Sequence, residues 1–564
     1  MCTEIKQKQI AADVVIKNAN VYIIDADNSV CNSIAFAKGE IICVGSEQDT
    51  ESYIDKKTKV IDIDGCTVLP GFIDGHIHAG IEQIIQLYCL DLRTIEQSLD
   101  SYKKVIAEYI SNNQDLDVIF GVGYQYIAFD DGRPNKTFLD ELCPDKPVYI
   151  SDVSLHAIWT NTLGLKSLGI DNTTVAPRGG LIVKDENGDL AGELSDVFSI
   201  MEIWTQKGIT PNMFLEAFKL LEKDCAAKGI TSINSMGTLL SGRELWDLMR
   251  EHENSGEMTL RVNFAHDHTP EQNIFDLLDL LNKGEEYESD YLSSKTVKLF
   301  LDGTPEGKTA YLLEPYSNNP VGSENYRAAS LWVSDELNDV VSKVDAAKRQ
   351  IHIHAIGDAA VKQAIDAIEY AAKENGLRDS RHCIAHICLI EDKDIDRMAN
   401  LGIYGVVQPI WAYQDHIFSD LEIEAYGQER YEKEYPFRTM CEKGVCLVGS
   451  ADNPVSENRP LSGIQVAVTR SSPYGDERFD SSFIRSSSEA ISVSDAIRAY
   501  TINAAKEMFM EDKIGSLEVG KKADMIILDR DLIQIDPREI VETEILATIF
   551  NGELVYDKCN WFVD

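Results

Sequence analysis

Residues 68–80 read VLPGFIDGHIHAG. An apolar pair, Val68 and Leu69, runs into a Pro70-Gly71 corner, and Phe72-Ile73-Asp74 return to extended structure. His76 and His78 follow, two positions apart. On a strand, residues i and i+2 point to the same face, so both imidazoles can close on one cation. Taken alone, a His-x-His pair is more often two histidines beside a turn, and the rest of the chain has to decide.

Outward from this stretch the pattern is strand then helix. GITSINSMG precedes the helical RELWDLMREHENSG, TLRVNFAH precedes EQNIFDLLDLLNKG, and RQIHIHAIGD precedes AAVKQAIDAIEYAAKENG. Such alternation implies parallel strands joined by crossover helices. Counting GFIDGHIH as the first, eight strands are expected, at 71–78, 229–237, 259–266, 296–302, 350–356, 382–389, 402–409 and 445–451. Eight is the number that closes a barrel.

Both ends of the chain have a different texture, with short alternating runs such as DVVIKNANVYIID and ADMIILDR between Asn, Asp and Gly turns. The expected fold class is therefore α/β, a (β/α)8 TIM-like barrel over 70–504 with a composite β-sandwich from 1–69 plus 505–564. The long interval 85–205 has strands and helices of its own and is expected as an inserted α+β subdomain, since structureless loops of that length are rare. The Ser- and charge-rich piece 470–490 is expected as an exposed loop.

The composition excludes some functions. With 94 acidic against 53 basic residues the net charge is −41, the wrong sign for gripping nucleic acid or an anionic membrane surface. No window reaches the ~18 apolar residues of a membrane span, and the N-terminus lacks the apolar run of a signal peptide. The 12 cysteines show no Cys-x-x-Cys spacing and are expected as reduced thiols of a cytoplasmic protein. Two phosphate-loop look-alikes fail. GTPEGKT (303–309) has too few residues between its glycines, and GSLEVGKK (515–522) lacks the Ser or Thr that holds magnesium.

The histidines carry the chemistry. Of 11, eight form four pairs, His76/His78, His266/His268, His352/His354 and His382/His386, all on or just after expected barrel strands. His252 and His416 fall outside this pattern. Catalytic groups of such barrels sit at the C-terminal strand ends. Lys298 in KTVKLFLDG and Asp452 in GSADNP also fall at strand positions. Individually they read as a buried lysine and a turn aspartate. Together with the imidazoles they make a metal-type donor set.

These residues carry a resemblance. PGFIDGHIH, HAIWTN, VKLFLDGT, HAIGDAAV, RHCIAH, VVQP, SADNPV, SDAIRAYTINAA and IGSLEVGKKADMIILD occur in this order over nearly the whole chain. The sequence resembles the metal-dependent amidohydrolase superfamily, in particular its N-substituted formamide deformylase-like branch. The resemblance implies one or two divalent ions, zinc first, held by His76, His78, Lys298, His354, His386 and Asp452. Lys298 would be carboxylated, and Asp452 would also move the catalytic proton. It implies hydrolysis of an amide-like C–N bond of a small molecule by metal-activated water, and a homodimer. Deaminase, lactonase and metal-assisted isomerase are the alternative reactions, and a non-catalytic scaffold is the alternative outside enzymes.

His352 is expected one layer below His354, filling the barrel, and His382 below His386. Pocket residues expected from the same comparison are His156, Trp159, Gln408 and Trp411, with Tyr413 beside them. Three departures bear on substrate choice: Ala385 where Glu is common, PEGK at 305–308, and an Ala between Ser450 and Asp452. The 305–308 loop should overhang the site.

Overall fold

The computed structural model describes residues 10–129, 132–237, 239–318, 325–414, 418–474 and 484–561. At its centre are eight parallel strands: β1 Phe72–Ile77, β2 Ile230–Ser235, β3 Arg261–Asp267, β4 Leu292–Phe300, β5 Gln350–Ala355, β6 Cys383–His386, β7 Tyr404–Val407 and β8 Leu447–Gly449. They hydrogen-bond in sequence order from β1 to β8. The last strand then meets the first. Asp452 N–H donates to the His76 carbonyl (2.8 Å) and His78 N–H donates to the Asn453 carbonyl (2.9 Å). Ala451 N–H donates to Asp74 Oδ1 at 3.2 Å.

All eight expected strands are present, with shifted ends. β4 begins earlier, at Leu292. β6 ends at His386 rather than running on, because His386 and Ile387 have φ of +77° and +49°, outside the range a ladder can use. That break leaves the His386 ring at the end of its strand.

Alternation along β5 sorts its residues. His352 and His354 face the barrel interior, while Ile351, Ile353 and Ala355 join the apolar layer under the helices. The helix Asp358–Asn375 buries Ala360, Val361, Ala364, Ile365, Ala367, Ile368 and Ala371 in that layer, the spacing of a single helical stripe.

The two ends of the chain share one eight-stranded sheet. Met525–Leu528 runs antiparallel to Thr67–Pro70, pairing Ile526 with Leu69, and Val14–Tyr22 lies on the other side of Thr67–Pro70. A separate apolar cluster from both ends, including Ile16, Val21, Phe36, Met525, Ile527 and Ile549, fills this sheet's interior. Gly71 carries the chain from this sheet into β1. A Cβ there would lie 2.5 Å from Thr231 Cγ2, so only glycine allows so close an approach.

Between β1 and β2 lies a six-stranded sheet with its own aromatic core of Tyr102, Tyr124, Phe129 and Trp159. The piece expected as an exposed loop, 470–490, is partly the opposite. Arg470, Ser471, Ser472 and Arg485 are buried, and Arg470 and Arg485 donate to the carbonyls of Tyr435 and Tyr431. Residues 475–483, like His416, lie outside the described residues. No described helix is long and apolar enough to cross a membrane.

Candidate metal centre

The barrel's C-terminal rim gathers six side chains from five strands. β1 supplies His76 and His78. Asp452, three residues beyond the end of β8 and at φ +55°, turns back over them. Its Oδ1 lies 3.3 Å from Nε2 of both histidines. Lys298 on β4 is buried, with Nζ 3.3 Å from His76 Nε2 and 4.6 Å from the centre of the Phe300 ring. His354 and His386, at the ends of β5 and β6, have ring centres 4.4 Å apart, and His386 lies 5.0 Å from His76. His386 Nδ1 is 4.0 Å from Asp452 Oδ2.

Burial sets the protonation. It pushes the imidazoles of His76 and His354 well below their ordinary range and His386 to about 4, so these rings are neutral and keep lone pairs to donate. It also pushes the Lys298 amine down to about 8, against the opposing pull of Asp452 and Asp267. Burial alone would raise Asp452, but the close approach of the His76, His78 and His386 imidazoles holds its carboxyl well below the usual range.

The donor set fits a metal ion. Asp452 Oδ1 and His354 Nε2 are buried and have no hydrogen-bond partner among the described residues. The ligand atoms of His76, His78 and Asp452 all lie within 4.8 Å of one another. Four-coordinate zinc, with bonds of about 2.0–2.2 Å, holds its ligand atoms roughly 3.3–3.6 Å apart, close to the spacing of Asp452 from its two histidines. Asp302 stands 3.6 Å from His354 Nε2. Its own oxygens are taken by the N–H groups of Tyr311, Ile356 and Gly357 at 2.9–3.0 Å.

Residues 59–556 match the model of the amidohydrolase family. The chain belongs to the amidohydrolase family. It is 30% identical to Protein LONG AFTER FAR-RED 3 of Arabidopsis thaliana, over 97% of this chain and 92% of that one. It is 27% identical to N-substituted formamide deformylase of Arthrobacter pascens, over 97% and 98%. Among solved structures, an uncharacterized metal-dependent hydrolase from Pyrococcus horikoshii shares the fold, with TM-score 0.71, 23% identity, and coverage of 93% and 99%.

Around the centre of this amidohydrolase, the other expected residues divide. His156 faces the site from the inserted sheet, its ring centre 5.0 Å from His354. Burial would lower its pKa, but Asp196, with Oδ1 2.6 Å from His156 Nδ1, lifts it to about 9 and makes it a cation. Trp411 lies flat on His386, ring centres 5.5 Å apart and planes 13° from parallel.

Gln408 and Trp159 are placed differently from expectation. Gln408 is fully buried and lines neither of the two chambers that open onto the centre. Its Oε1 is 2.9 Å from His386 Nδ1 and its amide donates to Ser450 Oγ at 2.8 Å, so it orients His386. Trp159 is fully buried in the core of the inserted sheet, and its Nε1 donates to the Asn135 carbonyl. A ring enclosed on all sides has no face left for a substrate. His266 bonds to Ser294 Oγ at 2.5 Å, and His268 lies against Trp332. Both border the site without reaching the donor cluster.

Two chambers open onto the amidohydrolase centre. One, of about 1140 Å³, runs past Asp267, His268 and Asp276. The other, of about 480 Å³, is bounded by Trp411, Tyr413, Tyr435, Tyr474, Glu306 and Arg485. They share Ser154, His156, His354, His386, Asp452 and Val455. Glu306 belongs to the 305–308 loop, which does overhang the site. Asp302, Asp196 and Glu507 are contributors that sequence reasoning missed. The LFLDGT stretch held a signal for Asp302, since it closes a strand that already bears Lys298.

Proposed function

We propose that this amidohydrolase hydrolyses an amide-like C–N bond of a small molecule with a divalent metal, zinc first, held by His76, His78, His354, His386 and Asp452. The observation that carries this reading is the convergence of neutral imidazoles and an ionised carboxylate on one buried point of the barrel rim. Lys298 would complete the set once the neutral fraction of its buried amine, enlarged by its lowered pKa, adds carbon dioxide, releasing a proton and forming a carbamate anion able to ligate a second ion. When bound, such a metal polarises the substrate carbonyl and lowers the pKa of water from 15.7 towards ~7.

The protein's own groups divide the remaining work. Asp452 takes the proton from the attacking water and returns it to the departing nitrogen. His156, kept cationic by Asp196, donates a hydrogen bond to the oxygen that gains negative charge. Trp411 and Tyr413 hold the substituent in the smaller chamber. Similarity to an N-substituted formamide deformylase makes N-substituted formamides the first compounds to try.

The test joins metal analysis to turnover. Purified protein should contain, or take up on incubation, one or two equivalents of zinc. It should release amine from at least one member of a series of N-substituted formamides and acetamides. A protein that takes up no divalent ion, or a loaded protein that cleaves no C–N bond in the series, would overturn this reading.

A further inference from the structure

Directly below His76 lies a chain of buried polar groups that the proposed hydrolysis does not use. His76 Nδ1 is 2.9 Å from His352 Nε2. The other nitrogen of that ring, His352 Nδ1, is 3.4 Å from Glu507 Oε1. Glu507 ends the helix Ile502–Glu507, which comes from beyond the last barrel strand, and both His352 and Glu507 are fully buried. Asn234 Nδ2 donates to the same Glu507 oxygen at 2.8 Å.

Only one proton arrangement serves all of these contacts when His76 Nε2 is the atom offered to a metal. Nε2 then carries a lone pair, so the proton of the neutral ring sits on Nδ1 and donates to His352 Nε2. His352, having accepted there, carries its own proton on Nδ1, which faces Glu507 Oε1 across 3.4 Å without a formed hydrogen bond. The carboxyl can accept that proton in either protonation state once the ring turns to it. A metal-bound histidine generally gives its second N–H to such an acceptor, which fixes tautomer and ring plane and raises ligand basicity. Here the acceptor is a second imidazole that faces a buried carboxyl in turn.

We propose that His352 and Glu507 are positioning residues that lock His76 in its metal-binding tautomer and orientation. This rests on the metal reading of the rim. A competing use of the same atoms is a separate metal site, because His352, Cys383 and Glu507 offer ligand atoms within 4.8 Å of one another. Their hydrogen bonds argue against it. Cys383 Sγ donates to Glu507 Oε1 at 3.6 Å and receives Gln350 Nε2 at 3.6 Å, and Asn234 already occupies the carboxyl.

The experiment measures zinc affinity by chelator competition and records the visible spectrum of the cobalt(II)-substituted full-length protein. It compares the unmodified protein with His352→Leu, His352→Gln, Glu507→Leu, Glu507→Gln and Cys383→Ser, each first checked for folding by circular dichroism. We expect His352→Leu and Glu507→Leu to bind zinc about 10–100-fold more weakly with an altered cobalt spectrum. The amides, whose carbonyl oxygen can still accept, should recover most of the affinity, and Cys383→Ser should change nothing. Folded leucine variants with unaltered zinc affinity and cobalt spectrum would overturn the proposal. So would loss of a metal equivalent in Cys383→Ser. An unmodified protein that binds no ion would instead remove the metal reading itself, and this inference with it.

Discussion

The rim and the floor of the barrel use the same residue types and treat them oppositely. At the floor, His382 is engaged at both nitrogens. Nδ1 accepts from Ile351 N–H at 3.1 Å and Nε2 faces Asp345 at 3.2 Å. Asp345 also accepts from Arg378 Nε at 2.6 Å and Asn375 Nδ2 at 2.9 Å. At the rim, Asp452 Oδ1 and His354 Nε2 are as deeply buried and have no hydrogen-bond partner among the described residues. Buried polar atoms in native proteins are nearly always paired. His382, paired at both nitrogens, and the two unpaired rim atoms show the difference between a histidine that holds the barrel and donors arranged for a ligand.

Five experiments press on that contrast, in order of expected effect. Asp452→Asn should leave a folded protein whose kcat is down about 10²–10⁴-fold, the usual worth of a positioned acid–base group. Steady-state kinetics with circular dichroism checks this, and unchanged turnover would remove Asp452 from the mechanism. Dialysis against a strong chelator should abolish activity, with recovery on zinc addition. Denaturation midpoints should also fall, because an ion at 100 times its Kd stabilises the folded state by about 2.7 kcal/mol. Gln408→Leu, which frees His386 Nδ1, should lower zinc affinity or kcat/KM about 10–100-fold.

The floor should respond in stability rather than rate. His382→Leu leaves the Ile351 N–H and part of Asp345 unpaired and should cost about 1–3 kcal/mol in urea denaturation, with kcat of the folded fraction retained. The smallest effect concerns acid. Burial opposes ionisation of Asp345, but its bonds to His382 and Asn375 and the charge of Arg378 hold its carboxyl down at about 2. A depressed carboxyl stabilises the fold above its ordinary titration range and loses that contribution as pH falls through the folded value. In metal-free protein, the stability gap between the parent and Asp345→Asn should therefore be full above about pH 4 and close towards pH 2. A gap independent of pH would mean that the Asp345 charge contributes nothing.

The sequence made the barrel legible because its signals are periodic and local. Strand–helix alternation located all eight strands, and paired histidines at strand ends marked the rim. Depth along a strand was also readable. In IHIH and HCIAH the residue nearer the strand's C-terminus faces the rim, so His354 and His386 were separable from His352 and His382. What could not be read lies in contacts made across the sequence. Glu507 ends a short helix far from His352, where a glutamate reads as solvated. Gln408 is a polar residue at a strand end, equally suited to substrate or to scaffold until His386 is seen 2.9 Å away. Trp159 misled because an aromatic beside a histidine motif looks like a pocket wall, whereas strand alternation turns it away from His156 and into the core. The burial of Arg470 and Arg485 overrode a composition that resembles a surface loop.

The join between the first and last barrel strands has a temporal consequence. His76 and Asp452 are at once donor atoms of the centre and partners in the backbone bond that shuts the cylinder. A chain emerging from the ribosome holds four of its imidazoles well before the acid arrives, so on the proposed mechanism turnover waits until the circle is complete. On that mechanism competence is acquired in one late event, and an abortive translation product ending before residue 452 should be inert however well its earlier strands have packed.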